Sequence, residues 1–449
     1  MKLSPDGQVL DATVPGQEPL LALPLTTKVP ARRSPLGTLH DRSTSPGGTV
    51  NATSKRRTTN DWTRLSLVML GAIGGSVAIF ATTREPFLWT FLLWGASALV
   101  GALISRSTIA RATLVNIATV LVVLGVFEGY LWLRELWNDP TRMEGSYTTE
   151  YFVPDEVLGY GPHKGVVVTS EKYHGAQPIY RVRYTISPDG LRVSPPSQEG
   201  EGGCVLFFGG SVTFGEGVPD DQAMPYQVGV LTAGHYPIYN FAFHGYGPHQ
   251  MLAALQAGRV DQIIHCRPSH VIYQGILSHV ERVAGLTIWD QHGPRYVIAP
   301  GGGVTLAGHF DDEQTANPWK GWLNRWLTYD TLFGRRRPAG PHEIALYAEI
   351  LAEARAFVEG HYPGAQFDVL LWDNRRLPTQ DQIIKALQAK GLRLHPISEI
   401  LPDYYTDEGR YQLSSFDHHP TAEAHGLIAR YVAEHILGYR EAHGITPPR

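Results

Sequence analysis

Three long apolar stretches lie toward the N-terminal end of the chain, and the pattern of hydrophobic positions changes after them. Leu65–Thr83 runs nineteen residues without a charge, Pro86–Ser105 runs twenty, and Ala112–Leu133 is broken only by Glu128. A bilayer core of ~30 Å needs ~20 apolar residues at ~1.5 Å each, so each stretch is long enough to span. Buried helices of a soluble core share this hydropathy, but three consecutive stretches of such length fit membrane spans better. Residues 1–60 are rich in Pro, Gly, Ser and Thr, lack apolar periodicity and end near the basic cluster Lys55, Arg56 and Arg57. Such a segment cannot bury enough apolar surface to offset its ordering entropy, which predicts a disordered tail over 1–60 and three transmembrane helices within 61–138. The first apolar stretch begins only at Leu65, which reads as a retained anchor, not a cleaved leader.

Positive charge sets the expected direction of these spans. Lys55, Arg56, Arg57 and Arg64 precede the first, and Arg106 and Arg111 lie between the second and third. The opposite side carries Arg84, then Arg134 and Arg142. The tail is therefore expected to be cytoplasmic, and everything after Trp137 extracytoplasmic, periplasmic or at the cell surface. Glu128 reads either as a functional intramembrane acid or as an acid near a helix end that reaches the interface beside Tyr130 and Trp132.

From residue 139 onward the chain reads as a water-soluble α/β domain. Short apolar runs predict buried parallel strands at Cys204–Phe208, Pro237–Phe241, Ser269–Tyr273, Phe367–Trp372 and Leu392–Pro396. Helical periodicity covers His342–Glu359, Thr379–Lys390 and Thr421–Leu437. Strands alternating with helices point to a three-layer sandwich on a parallel sheet, with sites at the carboxyl ends of its strands. Two pieces stand outside this unit. Residues 150–200 form an antiparallel lead-in segment with a turn at Pro188-Asp189-Gly190, and residues 284–340 form an insertion.

Composition narrows the reading. The chain has 449 residues, a net charge of −4 and no dominant basic patch, so nothing points to nucleic acid. Its two cysteines, Cys204 and Cys266, exclude a disulfide-rich scaffold and a cysteine-ligated zinc site. In an oxidising compartment these two could pair, because both sit just before strands that would be neighbours. No motif asks for a cofactor or a metal.

The candidate chemistry sits at strand ends. The first strand runs into Phe207-Phe208-Gly209-Gly210-Ser211-Val212-Thr213-Phe214-Gly215-Glu216-Gly217-Val218. A serine between a buried strand and a helix start is well placed as a nucleophile, and the glycines permit a sharp turn and close substrate approach. The second strand is followed by Asn240-Phe241-Ala242-Phe243-His244-Gly245-Tyr246-Gly247. Just before the last helix comes Asp417-His418-His419-Pro420. A serine needs a base, for which histidine is suited near neutrality, and a carboxylate beside it fixes the ring tautomer.

Taken in this chain order, the three segments resemble the blocks of the SGNH (GDSL-like) hydrolases, over roughly Gly203–Leu437. The resemblance implies a three-layer α/β/α, flavodoxin-like sandwich on a five-stranded parallel sheet. It implies Ser211 as nucleophile, His419 as general base, Asp417 as its orienting acid, and an oxyanion hole from the backbone N–H groups of Ser211 and Gly245. Two departures stand out. The block that usually reads Gly-x-Asn-Asp is here Gly275-Ile276-Leu277-Ser278-His279. With the asparagine gone, His279 or Ser278 is left as the donor, and one missing donor costs ~2.7–4 kcal/mol of transition-state stabilisation. Asp417 and His419 are separated by one residue where many relatives have two, which keeps His418 open as a base. His425 reads as packing or surface. In the insertion, Trp319, Trp322, Trp326 and Phe333 recur at helical spacing beside basic residues; the stretch packs on the domain, rests on the membrane surface or covers a groove.

The expectation is a membrane-anchored serine esterase or O-acyltransferase working through an acyl-serine on ester-bearing substrates such as an envelope polysaccharide. The alternative is a catalytically degenerate SGNH domain serving glycan binding or envelope assembly.

Overall fold

The computed structural model describes residues 53–83, 85–138, 141–148, 151–197, 203–312, 318–334, 337–373 and 378–439. Most of the tail expected over 1–60 lies outside them. The chain divides into a unit of residues 10–125 and a second that holds 126–449.

The first unit contains α1 (Thr53–Thr82), α2 (Pro86–Ile104) and most of α3 (Thr108–Asn138). Each includes a stretch long and apolar enough to cross a membrane, as the hydropathy pattern requires. Small residues allow their contacts: Gly95 faces Val122 and Ala118, and Gly101 lies against Leu65 and Leu114. One boundary is corrected. Helix α1 begins at Thr53, so the basic cluster Lys55–Arg57 belongs to the helix and not to a tail. Arginine and lysine carry good helix propensity, and no proline or glycine separates them from the apolar run.

The second unit begins inside α3 and continues with short antiparallel strands. These are β1 (Thr141–Glu144), β2 (Phe152–Asp155), β3 (Gly159–Pro162), β4 (Val167–His174) and β5 (Gln177–Thr185). After them come β6 (Cys204–Gly209), α4 (Ser211–Phe214), α5 (Met224–Leu231), β7 (Ile238–Asn240), α6 (Pro248–Gln256), β8 (Pro268–Gly275) and α7 (His279–Val283). The insertion supplies the hairpin β9 (Pro294–Ile298) and β10 (Val304–His309), then α8 (Pro318–Leu323) and α9 (Leu327–Leu332). The chain closes with α10 (Pro341–His361), β11 (Gln366–Leu371), α11 (Pro378–Ala389), β12 (Arg393–Pro396), α12 (Ile397–Ile400), β13 (Gln412–Ser414), β14 (Asp417–Pro420) and α13 (Ala422–Tyr431).

The central sheet has the order β12-β11-β8-β6-β7, and all its pairings are parallel. Counted along the chain this is 2-1-3-4-5, the flavodoxin-like order. Helices on both faces make the three expected layers. Within β6 the period of two decides the burial. Cys204, Leu206 and Phe208 join the core under α6, α10 and α11, while Val205 and Phe207 join the core under α5, α12 and α13. Cys204 and Cys266 are disulfide-bonded. The lead-in segment is a three-stranded antiparallel sheet, β1-β4-β5, with the expected turn closed by Gly190 N–H donating to Ser187 O at 2.9 Å. Its inner face builds a third, aromatic core with Phe214, Phe243 and Tyr246 from the loops at the carboxyl edge of the main sheet. That contact carries the lead-in strands to the candidate site.

Glu128, in the part of α3 belonging to this unit, is buried. Its carboxylate accepts from Leu327 N–H (2.7 Å), Thr328 N–H (3.0 Å) and the Thr328 hydroxyl (2.7 Å).

Candidate active site

Ser211 opens α4 directly after β6, and the two glycines before it are required by contact. A Cβ on Gly210 would lie 2.6 Å from Arg282 Nη1 and 3.0 Å from both His279 Nε2 and the Tyr246 carbonyl. A Cβ on Gly209 would lie 2.9 Å from the Gln274 carbonyl. The loop leaving α4 is clamped by Arg192, which is fully buried and donates to the carbonyls of Phe214 (2.5 Å), Gly215 (2.6 Å) and Val218 (2.8 Å). Thr213 donates to the Gln274 side chain at 3.0 Å, tying α4 to the end of β8.

Asp417 and His419 stand on β14, and the strand resolves the spacing question. Alternate residues of a strand point to opposite faces, so Asp417 and His419 share one side and His418 takes the other. His418 is exposed and pairs its Nδ1 with Gln412 Oε1 at 2.7 Å, which removes it as the candidate base. His419 Nε2 lies 2.8 Å from Ser211 Oγ, and its Nδ1 lies 2.6 Å from Asp417 Oδ1. Asp417 Oδ1 also accepts the His419 backbone N–H at 3.0 Å, which fixes the ring against its own strand. One hydroxyl, one imidazole and one carboxylate thus form a continuous line. It can take a proton from the hydroxyl and return it to a leaving group.

Two charged residues that the sequence reading did not single out complete this line. Lys172, on the buried face of β4, places Nζ 3.0 Å from Asp417 Oδ2. Glu216 places Oε2 3.6 Å from His419 Nε2, on the side opposite Asp417, and 2.7 Å from His244 Nδ1. Tyr180 donates to Glu216 Oε1 at 3.3 Å, and Lys172 Nζ lies 3.9 Å from the same oxygen. Glu216, Asp417 and His419 are close enough to hold a cation together. The Lys172 ammonium already supplies positive charge to both carboxylates, so the cluster is satisfied by the chain's own residues.

The electrostatics follow from this arrangement. Burial opposes ionisation of Glu216, yet the charge of His419, the His244 hydrogen bond and Lys172 outweigh it and hold the carboxyl at about 2. Burial likewise opposes ionisation of Asp417, and His419 with Lys172 again prevails, holding it well below the usual carboxylate range. For His419, burial disfavours the imidazolium while Glu216 and Asp417 favour it, and the net shift is upward from 6.5. Burial lowers His244, against the pull of Glu216.

Of the remaining candidates, His279 and the loop of Gly245 meet at Gly210. The Tyr246 carbonyl beside it belongs to the loop of Gly245, whose left-handed backbone (φ +77°) and tight contacts with Tyr160 and Trp289 leave no room for a side chain. His279 is buried, its Nδ1 lies 2.5 Å from the Tyr273 hydroxyl, and its Nε2 has no hydrogen-bond partner among the described residues. Burial, then the charges of Arg282 and His249, push its imidazole well below 6.5, so it stays neutral at pH 7. Burial raises Tyr273, which keeps its proton. With that hydroxyl as donor to Nδ1, the proton of His279 stands on Nε2, facing Gly210. The Ser278 hydroxyl is buried without a hydrogen-bond partner among the described residues. His425 is packing: it accepts the Met224 N–H at 3.2 Å, and burial holds it neutral, at about 3.

The parallel sheet of this order, with the serine after its first strand and the Asp-x-His strand before the last helix, has the three-layer α/β/α arrangement that the resemblance implied. No family model and no curated protein matches the chain. Among solved structures it is similar to a protein assigned to the G-D-S-L lipolytic family from Desulfitobacterium hafniense DCB-2, at 12% identity and a TM-score of 0.30, over 51% of this chain and 97% of that one. It is similar to an acetyl xylan esterase from Butyrivibrio proteoclasticus, at 9% identity and a TM-score of 0.30, over 64% and 86%. A carbohydrate esterase, at 12% identity and a TM-score of 0.32, is covered over 98% against 67% of this chain.

Proposed function

We propose that the chain is a membrane-anchored serine esterase or O-acyltransferase that works through an acyl-Ser211 intermediate. The observation that carries this reading is the pair of contacts about one imidazole, 2.8 Å to Ser211 Oγ and 2.6 Å to Asp417 Oδ1. Ser211 Oγ attacks the ester carbonyl as its proton passes to His419 Nε2. Asp417 holds the resulting imidazolium through Nδ1–H, and Glu216 faces it from the other side. The carbonyl oxygen, now an oxyanion, takes hydrogen bonds from the backbone N–H groups of Ser211 and Gly245 and from His279 Nε2–H. Collapse expels the alcohol, which leaves with the proton from His419. Water then resolves the acyl-enzyme in hydrolysis, or a second hydroxyl does so in transfer, with His419 again as base.

The three apolar helices support anchoring, and the excess of Lys and Arg before the first span supports a catalytic domain outside the cytoplasm. The Cys204–Cys266 disulfide supports the same side, since such bonds persist in oxidising compartments. An enzyme tethered there meets cell-envelope glycans, which makes their ester-linked acyl groups the proposed substrate class. The test is release of acetate from aryl acetates and from acetylated polysaccharide by the full-length protein. Turnover that vanishes in Ser211→Ala is the expected result. Turnover unchanged in that variant, or absent from the parent, refutes the reading and leaves a glycan-binding module.

A further inference from the structure

Residues 318–333 of the insertion were left open between packing, a membrane surface and a groove cover, and Glu128 decides among these. Its carboxylate takes three hydrogen bonds from Leu327 and Thr328, at the start of α9. An acid within an apolar helix is thereby satisfied by one element, and that element is fixed at the depth of Glu128 along α3. A core of about 30 Å entered at Ala112 is left about 20 residues later, near Leu131. Glu128 lies three residues inside that limit, about 4–5 Å along the helix axis. Amphipathic elements lie at about this depth in an interface, with the apolar face buried ~5–10 Å.

The side chains around the anchor suit that place. Trp319 and Phe333 are 73% and 69% exposed to solvent, and Leu332 and Trp322 are exposed as well. Leu332 and Phe333 follow the anchored amides within about 8 Å along a helical axis. On α3 itself, Tyr130, Leu133, Leu136 and Trp137 are exposed beyond Glu128. Aromatic residues with apolar bodies and polar edges gather at membrane–water interfaces.

We infer that residues 318–333 form a second membrane contact. In it α8 and α9 lie in the leaflet on the catalytic domain's side, held there by Glu128 of the third span, with lipid as the occupant of their exposed apolar face. The domain is then attached at two points, its helix and its insertion, which restricts its rotation over the bilayer. The inference rests on the spans and not on the esterase chemistry, and it stands or falls apart from that reading.

The test uses the full-length protein in nanodiscs of phosphatidylcholine and phosphatidylglycerol, with spin labels on Trp319→Cys and Phe333→Cys. Val230→Cys, exposed on α5, is the water reference, and Leu103→Cys, exposed on α2, is the lipid reference. Labels at 319 and 333 are expected to collide with oxygen and to be shielded from a nickel chelate, as at 103. Collision with the chelate as at 230 overturns the inference. So does shielding from both reagents, which would place protein over the face, such as a second copy. Glu128→Ala is expected to raise chelate access at 333 at least several-fold while Leu103 and Val230 keep theirs; an unchanged depth at 333 refutes the tether. Fluorophosphonate labelling of Ser211 on the same samples reports the chemistry separately.

Discussion

Replacing Glu216 by Gln removes one charge from a site in which His419 is held between two carboxylates. The side chain keeps its size, and its amide oxygen can still accept from His244. Glu216 Oε2 lies 3.6 Å from His419 Nε2, and burial keeps water from screening the pair. At that separation the attraction for an imidazolium is about 1 kcal/mol at the dielectric of water and about 4–5 kcal/mol at an effective value near 20. The same charge acts in the transition state, where the imidazolium forms. Two effects follow. The plateau kcat is expected to fall at least about fivefold, the lower limit of that range. The acid limb is expected to move as well. His419 must be neutral to act as base; burial and Lys172 lower its pKa, but Glu216 and Asp417 outweigh them and raise it. Activity is therefore lost as pH falls through that raised value. Without Glu216 the imidazolium is less favoured, so the limb moves to lower pH, by about one unit or more at 1.36 kcal/mol per unit. Rates of aryl acetate hydrolysis across pH 5–10 measure both. An acid limb that stays in place or moves to higher pH would refute the electrostatic argument.

Three further outcomes are expected. Lys172→Met leaves the Asp417 and Glu216 carboxylates buried without their ammonium, a change that costs about 3–5 kcal/mol for buried pairs; a lowered thermal inactivation midpoint, partly restored in Lys172→Arg, checks it. His279→Ala removes the donor that faces Gly210, so kcat is expected to fall ~10²–10³-fold with little change in KM, and a change confined to KM would assign His279 to substrate binding instead. Replacing Cys204 and Cys266 by Ala opens a link across 62 residues, worth about 4 kcal/mol by loop closure, and thermal inactivation of this variant beside the parent measures it.

The fold and the serine–histidine–aspartate line were legible because each depends on local pattern. The five strands are short apolar runs that end in glycine, proline or polar residues, and the structure places them within a few residues of their expected bounds. Ser211 stands at the end of a parallel strand, where such a sheet gathers its chemistry, and Asp417 and His419 stand on β14 just before the last helix. The one-residue spacing departs from the two residues of many relatives, and on a strand period two puts Asp417 and His419 on one face.

Glu216 was not legible, since an acid in a glycine-rich loop is usually solvated and only the tertiary contact with His244 shows otherwise. Lys172 did leave a signal. In Val167-Val168-Thr169-Ser170-Glu171-Lys172 it is in phase with Val168 and Ser170, the buried positions of β4, and a lysine in the buried phase asks for a partner. The lead-in segment was read as a separate piece because its aromatic face pairs with residues far along the chain. The role of Glu128 depends on amides about 200 residues away, which no local pattern carries.

Covalent labelling tests the central claim most directly. The full-length protein is treated with a fluorophosphonate and digested, and the modified peptide is identified by mass spectrometry. The expected adduct lies on Ser211, is absent in Ser211→Ala and forms far more slowly in His419→Ala. An adduct that persists in Ser211→Ala, or labelling of Ser211 at an undiminished rate in His419→Ala, would contradict the account.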